Sequence, residues 1–220
     1  MEAGGVTDSL LSGACVFFTL CMFSTGLSDI RHMWITRSVD SVQFLPFLTT
    51  DINTLSWLSY GALIGDGTII VVNAVGTVLQ TLCVLVYLHY CPQKRVVLPQ
   101  TAATLVVFLL AFGYFWFLVP EEDQLQQLGL FCCVLTICMY LSPMADLVKI
   151  IQTKSTQRLS FSLTIASLFS SACWTLYGFQ HRDPYIMVPN LPGMLTSYIR
   201  LWLFWKYPKE KDRNYRLLQT

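Results

Sequence analysis

The chain has 220 residues, 54% of them hydrophobic and only 12% charged, with a formal net charge of +1 and a mean hydropathy of +0.54. Soluble domains carry about 25% charged residues, so this composition belongs to a membrane protein. A charge so close to zero leaves no basic face for nucleic acid.

Taken in order, the apolar runs predict seven spanning helices, because a helix needs about 20 mostly apolar residues to cross a bilayer. They fall at roughly 9–29, 43–63, 67–90, 99–119, 127–148, 160–180 and 184–206. The start carries Glu2 and Asp8 where a signal peptide would carry positive charge, so the first run is expected to stay in the mature protein. There is no Asn-x-Ser/Thr acceptor to indicate sidedness. Of the eight cysteines, seven lie inside apolar runs and only Cys91 near a loop. Their spacing suits neither a disulfide framework nor zinc, and apolar packing is their expected role.

The second and third runs contain Trp57, Tyr60, Gly61, Asp66, Asn73 and Gly76, and 117 residues later the sixth and seventh contain Trp174, Tyr177, Gly178, Asp183, Asn190 and Gly193. Between windows 57–76 and 174–193, eight of twenty positions are identical, which marks an internal duplication. The seven helices therefore group as three, one and three. The expected domains are a first three-helix repeat at 9–90, a linker helix at 99–119, a second repeat at 127–206 and a tail at 208–220. A single linker helix reverses the chain, so both triplets insert with the same orientation, as parallel repeats about an axis along the membrane normal.

With the N-terminus outside, the inner segments hold twelve Lys and Arg residues and the outer ones only Arg182. By the positive-inside bias the N-terminus faces the exterior or lumen and the C-terminus the cytosol. The charged tail from Pro208 is a possible site for protein partners, with a solvated end as the plainer reading.

Asn73 and Asn190 each fall about seven residues into their helices, roughly 10 Å deep, and Trp57 and Trp174 share that depth. A carboxamide offers donors and acceptors without charge, which suits a neutral polyol. An indole face packs against the C–H face of a sugar ring while its N–H stays available as a donor. The alternative is that the amides glue helices together and the indoles sit in an interfacial belt. The pair occurs twice at equal depth, and that favours a substrate site. Pro189 and Pro192 flank Asn190 and predict a break in the seventh helix. Pro46 and Pro143 predict kinks in the second and fifth. Asp51, in a polar run, and Arg200 are the intramembrane ionisable residues, and either can serve a proton path. His32, His89 and His181 are not spaced as metal ligands, no phosphate loop is present, and neither an enzyme nor a cofactor is implied.

These residues resemble the SWEET sugar transporters, solute carrier family 50, with its single animal member in particular. The similarity runs from about Leu10 to Pro208. It rests on Met139-Tyr140-Leu141-Ser142-Pro143, the Lys154-Ser155-Thr156 turn, Trp174 to Gly178, and Arg182-Asp183-Pro184-Tyr185 with Val188-Pro189-Asn190. The resemblance implies an all-α bundle of seven transmembrane helices in a three-plus-one-plus-three arrangement. It implies transport of mono- or disaccharides down their gradient without ion coupling, homo-oligomers, and residence in plasma and Golgi membranes. It makes Asn73 and Asn190 the sugar-contacting pair, Trp57 and Trp174 the stacking positions, and Tyr60 and Asp183 an outer gate. Plant members often have a small residue where this chain has Trp57. Pro46 and Pro143 match two of four hinge prolines, whereas Thr25 and Ser160 occupy the other two positions. The readings left beside sugar uniport are a proton-coupled carrier of another small solute and a non-transporting receptor or scaffold.

Overall fold

The computed structural model describes residues 2–40, 42–154, 156 and 159–207, and all regular structure among them is helical. Ser155, Arg158 and the tail 208–220 lie outside the described residues, as does the side chain of Pro143. The described residues form eight helices in order: α1 (Glu2–Thr36), α2 (Phe44–Ile64), α3 (Gly67–Tyr90), α4 (Lys94–Phe117), α5 (Glu121–Met139), α6 (Leu141–Thr153), α7 (Phe161–Gln180) and α8 (Pro184–Lys206). Among the described residues three stretches are long and apolar enough to cross a membrane by length and composition alone: Thr7–Thr36, Gly67–Tyr90 and Lys94–Phe117. The others carry more polar residues, α2 most plainly in Thr49-Thr50-Asp51-Ile52-Asn53-Thr54.

The predicted fifth helix is two helices, α5 and α6, that meet at Tyr140. Position 143 has no backbone N–H to give the carbonyl of Met139, four residues earlier, and Met139 is where α5 ends. The chain continues through a tighter turn, with Tyr140 N bonded to Ile137 O at 3.0 Å, and resumes as α6 with Met144 N on Tyr140 O at 3.0 Å. The other prolines act differently. Pro46 is the third residue of α2, where the missing N–H would have had no helical partner, so it starts that helix and does not kink it. Pro189 and Pro192 lie inside α8, yet the helix runs unbroken from Pro184 to Lys206, which corrects the expected break. Within that stretch Asn190 Nδ2 donates to the carbonyl of Ile186 at 2.7 Å, adding a side-chain bond where the two prolines remove backbone ones.

The chain forms two compact units, one of Met1–Met22 with Thr136–Thr220 and the other of Phe23–Leu135. α1 and α5 are thus each shared between them. In the unit Phe23–Leu135, α2 and α3 form an antiparallel hairpin over a core that includes Met33, Phe47, Leu48 and Cys83. The rings of Phe44 and Tyr87 meet there at 4.9 Å. In the other unit, α7 and α8 form the corresponding hairpin. Leu147 and Ile150 of α6 pack on Leu203 of α8, and Thr156 Oγ1 ties the loop after α6 to Tyr207 O at 2.8 Å.

The 117-residue offset recurs in the backbone. Among the described residues four have left-handed φ: Arg37 (50°), Lys154 (52°), Gly65 (71°) and Arg182 (55°). They form two pairs at that spacing, 37 with 154 and 65 with 182. Arg37 and Lys154 follow α1 and α6, and Gly65 and Arg182 turn the α2–α3 and α7–α8 hairpins. Arg182 does with a side chain what Gly65 does without one, at a cost of about 1 kcal/mol. Arg182→Gly is therefore expected to stabilise the chain by about that amount, read as a higher melting temperature of the purified protein. A lower one would mean that the arginine side chain contributes more than its backbone costs.

Candidate functional site

Each hairpin is built around a glycine, an aspartate and a close helix crossing. Asp66 caps α3, its Oδ1 accepting from Thr68 N at 2.9 Å and Ile69 N at 3.1 Å. Asp183 caps α8 in the same way, from Tyr185 N at 2.9 Å and Ile186 N at 3.3 Å. The backbone of each aspartate donates back to the glycine that precedes it, Asp66 N to Gly61 O at 2.9 Å and Asp183 N to Gly178 O at 2.8 Å. These caps fix where each third helix starts and hence the depth of its asparagine.

Trp57 lies four residues before Gly61, and Asn73 lies four after Ile69. A Cβ added at Gly61 would come within 2.7 Å of Ile69 Cγ2. One helical turn is about 6 Å in either direction, so the indole and the carboxamide stand at one level of the α2–α3 hairpin. Trp174 and Asn190 hold the same relation to Gly178 and Ile186–Met187 in the α7–α8 hairpin. Trp57 meets Tyr60 edge-on, with ring centroids 5.5 Å apart and planes at 84°. Trp174 meets Tyr177 at 5.5 Å and 73°. Tyr60 is 1% exposed.

The two asparagines adopt the same arrangement. Asn73 Nδ2 donates to Ile69 O at 2.9 Å, and Asn190 Nδ2 to Ile186 O at 2.7 Å. Among the described residues neither amide makes another hydrogen bond, so each keeps one N–H and the whole of its Oδ1 free for a ligand. Both side chains are half-buried, enough to be held and open enough to be reached.

Below this level a second glycine of each hairpin marks a three-helix crossing. A Cβ at Gly76 would lie 2.7 Å from Phe23 Cε2 and 2.9 Å from Thr54 Cγ2. One at Gly193 would meet Tyr140 Oη and lie 2.5 Å from Ser171 Oγ. Phe23 with Tyr140 and Thr54 with Ser171 are again 117 apart. The comparison of windows 57–76 and 174–193 misses them because both pairs lie upstream, although an aromatic pair and a hydroxyl pair at the same offset are there to be read.

The expected gate residues fall in different units, Tyr60 in Phe23–Leu135 and Asp183 in the other. Asp51 accepts from Thr81 Oγ1 on both carboxylate oxygens, at 3.1 and 3.0 Å. Its counterpart at the 117 offset is Leu168, so this feature is not duplicated. Arg200 is half-buried on α8. Among the described residues no three His, Cys, Asp or Glu side chains form a group able to hold a metal. Trp174 departs from expectation: its Nε1 donates to Thr19 Oγ1 at 2.9 Å, so its N–H is already taken.

A family model described as "Sugar efflux transporter for intercellular exchange" matches this sequence twice, at residues 9–95 and 126–212. The chain is 74% identical to the protein named sugar transporter SWEET1 of Mus musculus and 72% identical to that of Homo sapiens, over the full length of each. It is 57% identical to the protein of that name in Danio rerio, across 96% of this chain and 97% of that one. Among solved structures it is similar to a eukaryotic SWEET transporter with a TM-score of 0.85, at 23% identity, covering 93% of this chain and 98% of the other.

Proposed function

Because the chain belongs to the SWEET family of sugar efflux transporters, we propose that it is a uniporter that carries mono- or disaccharides such as glucose down their gradient by alternating access. It is an integral membrane protein and a sugar transporter by family, and it is not an enzyme. The observation that carries the finer reading is the pair of asparagines, each clamped to its own helix through one N–H and left with an acceptor and a donor. Such amides bind sugar hydroxyls and an indole face covers the C–H surface of a sugar ring, so Asn73 and Asn190 with Trp57 and Trp174 are the substrate-binding residues.

The two three-helix repeats, 9–90 and 127–206 about the linker 99–119, alternately open the site to either side. Tyr60 and Asp183 close the outer side. The backbone interruption between α5 and α6, four residues ahead of Pro143, is the flexible point on the inner side, and Pro46 at the start of α2 marks its partner. The N-terminus is exterior or lumenal and the C-terminus cytosolic, in plasma and Golgi membranes. The protein works as a homo-oligomer, and its tail at 208–220 is available to protein partners.

Asp51 favours one second reading, a proton-coupled carrier, because a half-buried carboxylate on a lone hydroxyl is a group that can bind and release a proton. Radiolabelled glucose counterflow in proteoliposomes, at about pH 5.5 and about pH 7.5, separates the two. Uniport predicts the same rate at both, and a rate that follows a proton gradient would replace it with the coupled mechanism. No glucose flux from well-folded protein would point to another solute.

A further inference from the structure

Trp174 is held by a group outside its own hairpin. Its Nε1 donates to Thr19 Oγ1 of α1 at 2.9 Å, and Thr19 Oγ1 lies 3.1 Å from Ser170 Oγ, one turn before the indole on α7. Ser170 is only 5% exposed, while Thr19 and Trp174 are half-buried, so the network is partly shielded and water competes less well for its bonds than at the surface. Next to it the rings of Phe18 and Phe169 stack at 5.1 Å with planes 15° apart, fixing α1 against α7 at that level. The indole also meets the ring of Tyr177, with centroids 5.5 Å apart and planes at 73°. Two contacts thus bear on the ring: Tyr177 packs against it, and Thr19 selects one orientation of its N–H.

We infer that Thr19, seated by Ser170, is a positioning residue that sets the orientation of Trp174 for sugar stacking and leaves the indole to act through its face alone. The inference rests on the proposed stacking role of Trp174. With the N–H consumed by Thr19, the ring has no donor to offer a sugar hydroxyl. What it recognises is a flat patch of C–H bonds, which a pyranose in its chair form presents and an open-chain polyol does not. Orientation matters because a sugar held by Asn190 can stack on the indole of Trp174 only in one plane. An indole free to rotate about its χ angles spends part of its time out of that plane, and apparent affinity falls by the fraction lost.

The substitution that isolates the bond is Thr19→Val, which keeps shape and volume and removes the acceptor. Thr19→Ser keeps the acceptor. Glucose counterflow with Thr19→Val is expected to show KM raised about threefold to tenfold, the range that a single aromatic contact contributes. The maximal rate per folded transporter should change little. Thr19→Ser should restore the KM of the unaltered chain, and Ser170→Ala should move KM in the same direction by less. A Trp174→Phe background supplies the decisive comparison, because phenylalanine has no N–H to position. There, adding Thr19→Val should leave KM where Trp174→Phe alone puts it.

A further rise in KM in the double variant would overturn the inference, since Thr19 would then be touching the sugar itself. So would Thr19→Ser behaving like Thr19→Val, or an unchanged KM in Thr19→Val when Trp174→Phe raises it. If Trp174→Phe alone leaves KM unchanged, the orientation set through the N–H carries no affinity and the positioning role fails; if Trp174→Ala also leaves it unchanged, the stacking role fails as well. Melting temperatures of all variants, measured alongside, normalise each rate to folded protein.

Discussion

Asn73→Ala and Asn190→Ala are each expected to lower sugar counterflow about 30- to 100-fold while the amount of folded transporter in the membrane stays unchanged. Each amide offers a substrate hydroxyl one acceptor and one donor in a half-buried setting. Losing a pair of such bonds costs about 2–3 kcal/mol of binding and transition-state stabilisation. The fold should tolerate the change because the only bond each side chain makes inside the protein, among the described residues, is to a carbonyl on its own helix. That carbonyl keeps its ordinary backbone partner, and alanine is the better helix former. The two variants should also resemble one another, since the two amides share one geometry on corresponding helices. Counterflow in proteoliposomes, normalised to protein recovered by size exclusion, measures both parts. Flux retained in both variants would remove the asparagines from the site, and flux lost together with folded protein would make them structural.

The second large effect concerns Gly178. An alanine there would place its Cβ 2.7 Å from Met187 N, 3.0 Å from Asp183 O and 3.0 Å from Met187 Cα. All three are backbone atoms, so no rotamer change relieves the clash. α7 and α8 must move apart, which disturbs the cap at Asp183 and the register of Asn190. Gly178→Ala is expected to cost about 2–3 kcal/mol, seen as a large loss of monodisperse protein and a lower melting temperature. Gly61→Ala is the internal control. Its nearest obstruction is the side chain of Ile69, at 2.7 Å from Cγ2 and 3.0 Å from Cβ, with backbone no nearer than Ile70 N at 3.3 Å. A side chain can shift where a backbone cannot, so the loss should be about half as large. Equal losses at the two glycines would mean that both hairpins open equally easily.

Much of this is legible in the sequence for one reason. Most of the residues that repeat identically, Trp, Tyr, Gly, Asp and Asn, each do something a neighbouring residue type cannot; the repeated Ile and Val are ordinary apolar residues. Glycine permits the crossing, aspartate caps the helix, and asparagine presents an uncharged amide. Asp66 and Asp183 are visible as repeats in the outer loops, and their capping role needs the backbone. Positions where geometry repeats with neither identity nor shared chemistry are not legible. Gly65 and Arg182 share a left-handed turn, and no pattern of types announces that an arginine will adopt it. Helix ends are hard to place for a related reason. Charge as a marker of the membrane edge ends the first span near Asp29, whereas α1 continues to Thr36 and stops only where Arg37 turns left-handed. The bond from Trp174 to Thr19 joins residues 155 apart, a distance at which sequence spacing carries no information about side-chain contact.

That separation has a consequence for how the chain is made. The first 22 residues belong to the same compact unit as Thr136–Thr220, and Gln180 Nε2 reaches back to Asp8 Oδ1 at 3.1 Å across 172 positions. A ribosome delivers Phe23–Leu135 in one run, so that unit can close while synthesis continues. The leading half of α1, by contrast, emerges before that unit and waits for α7 and α8, which follow it. Contacts of such long range form late and slowly. A nascent chain stalled before α7 therefore exposes an orphaned stretch of α1 whose partners have still to be synthesised.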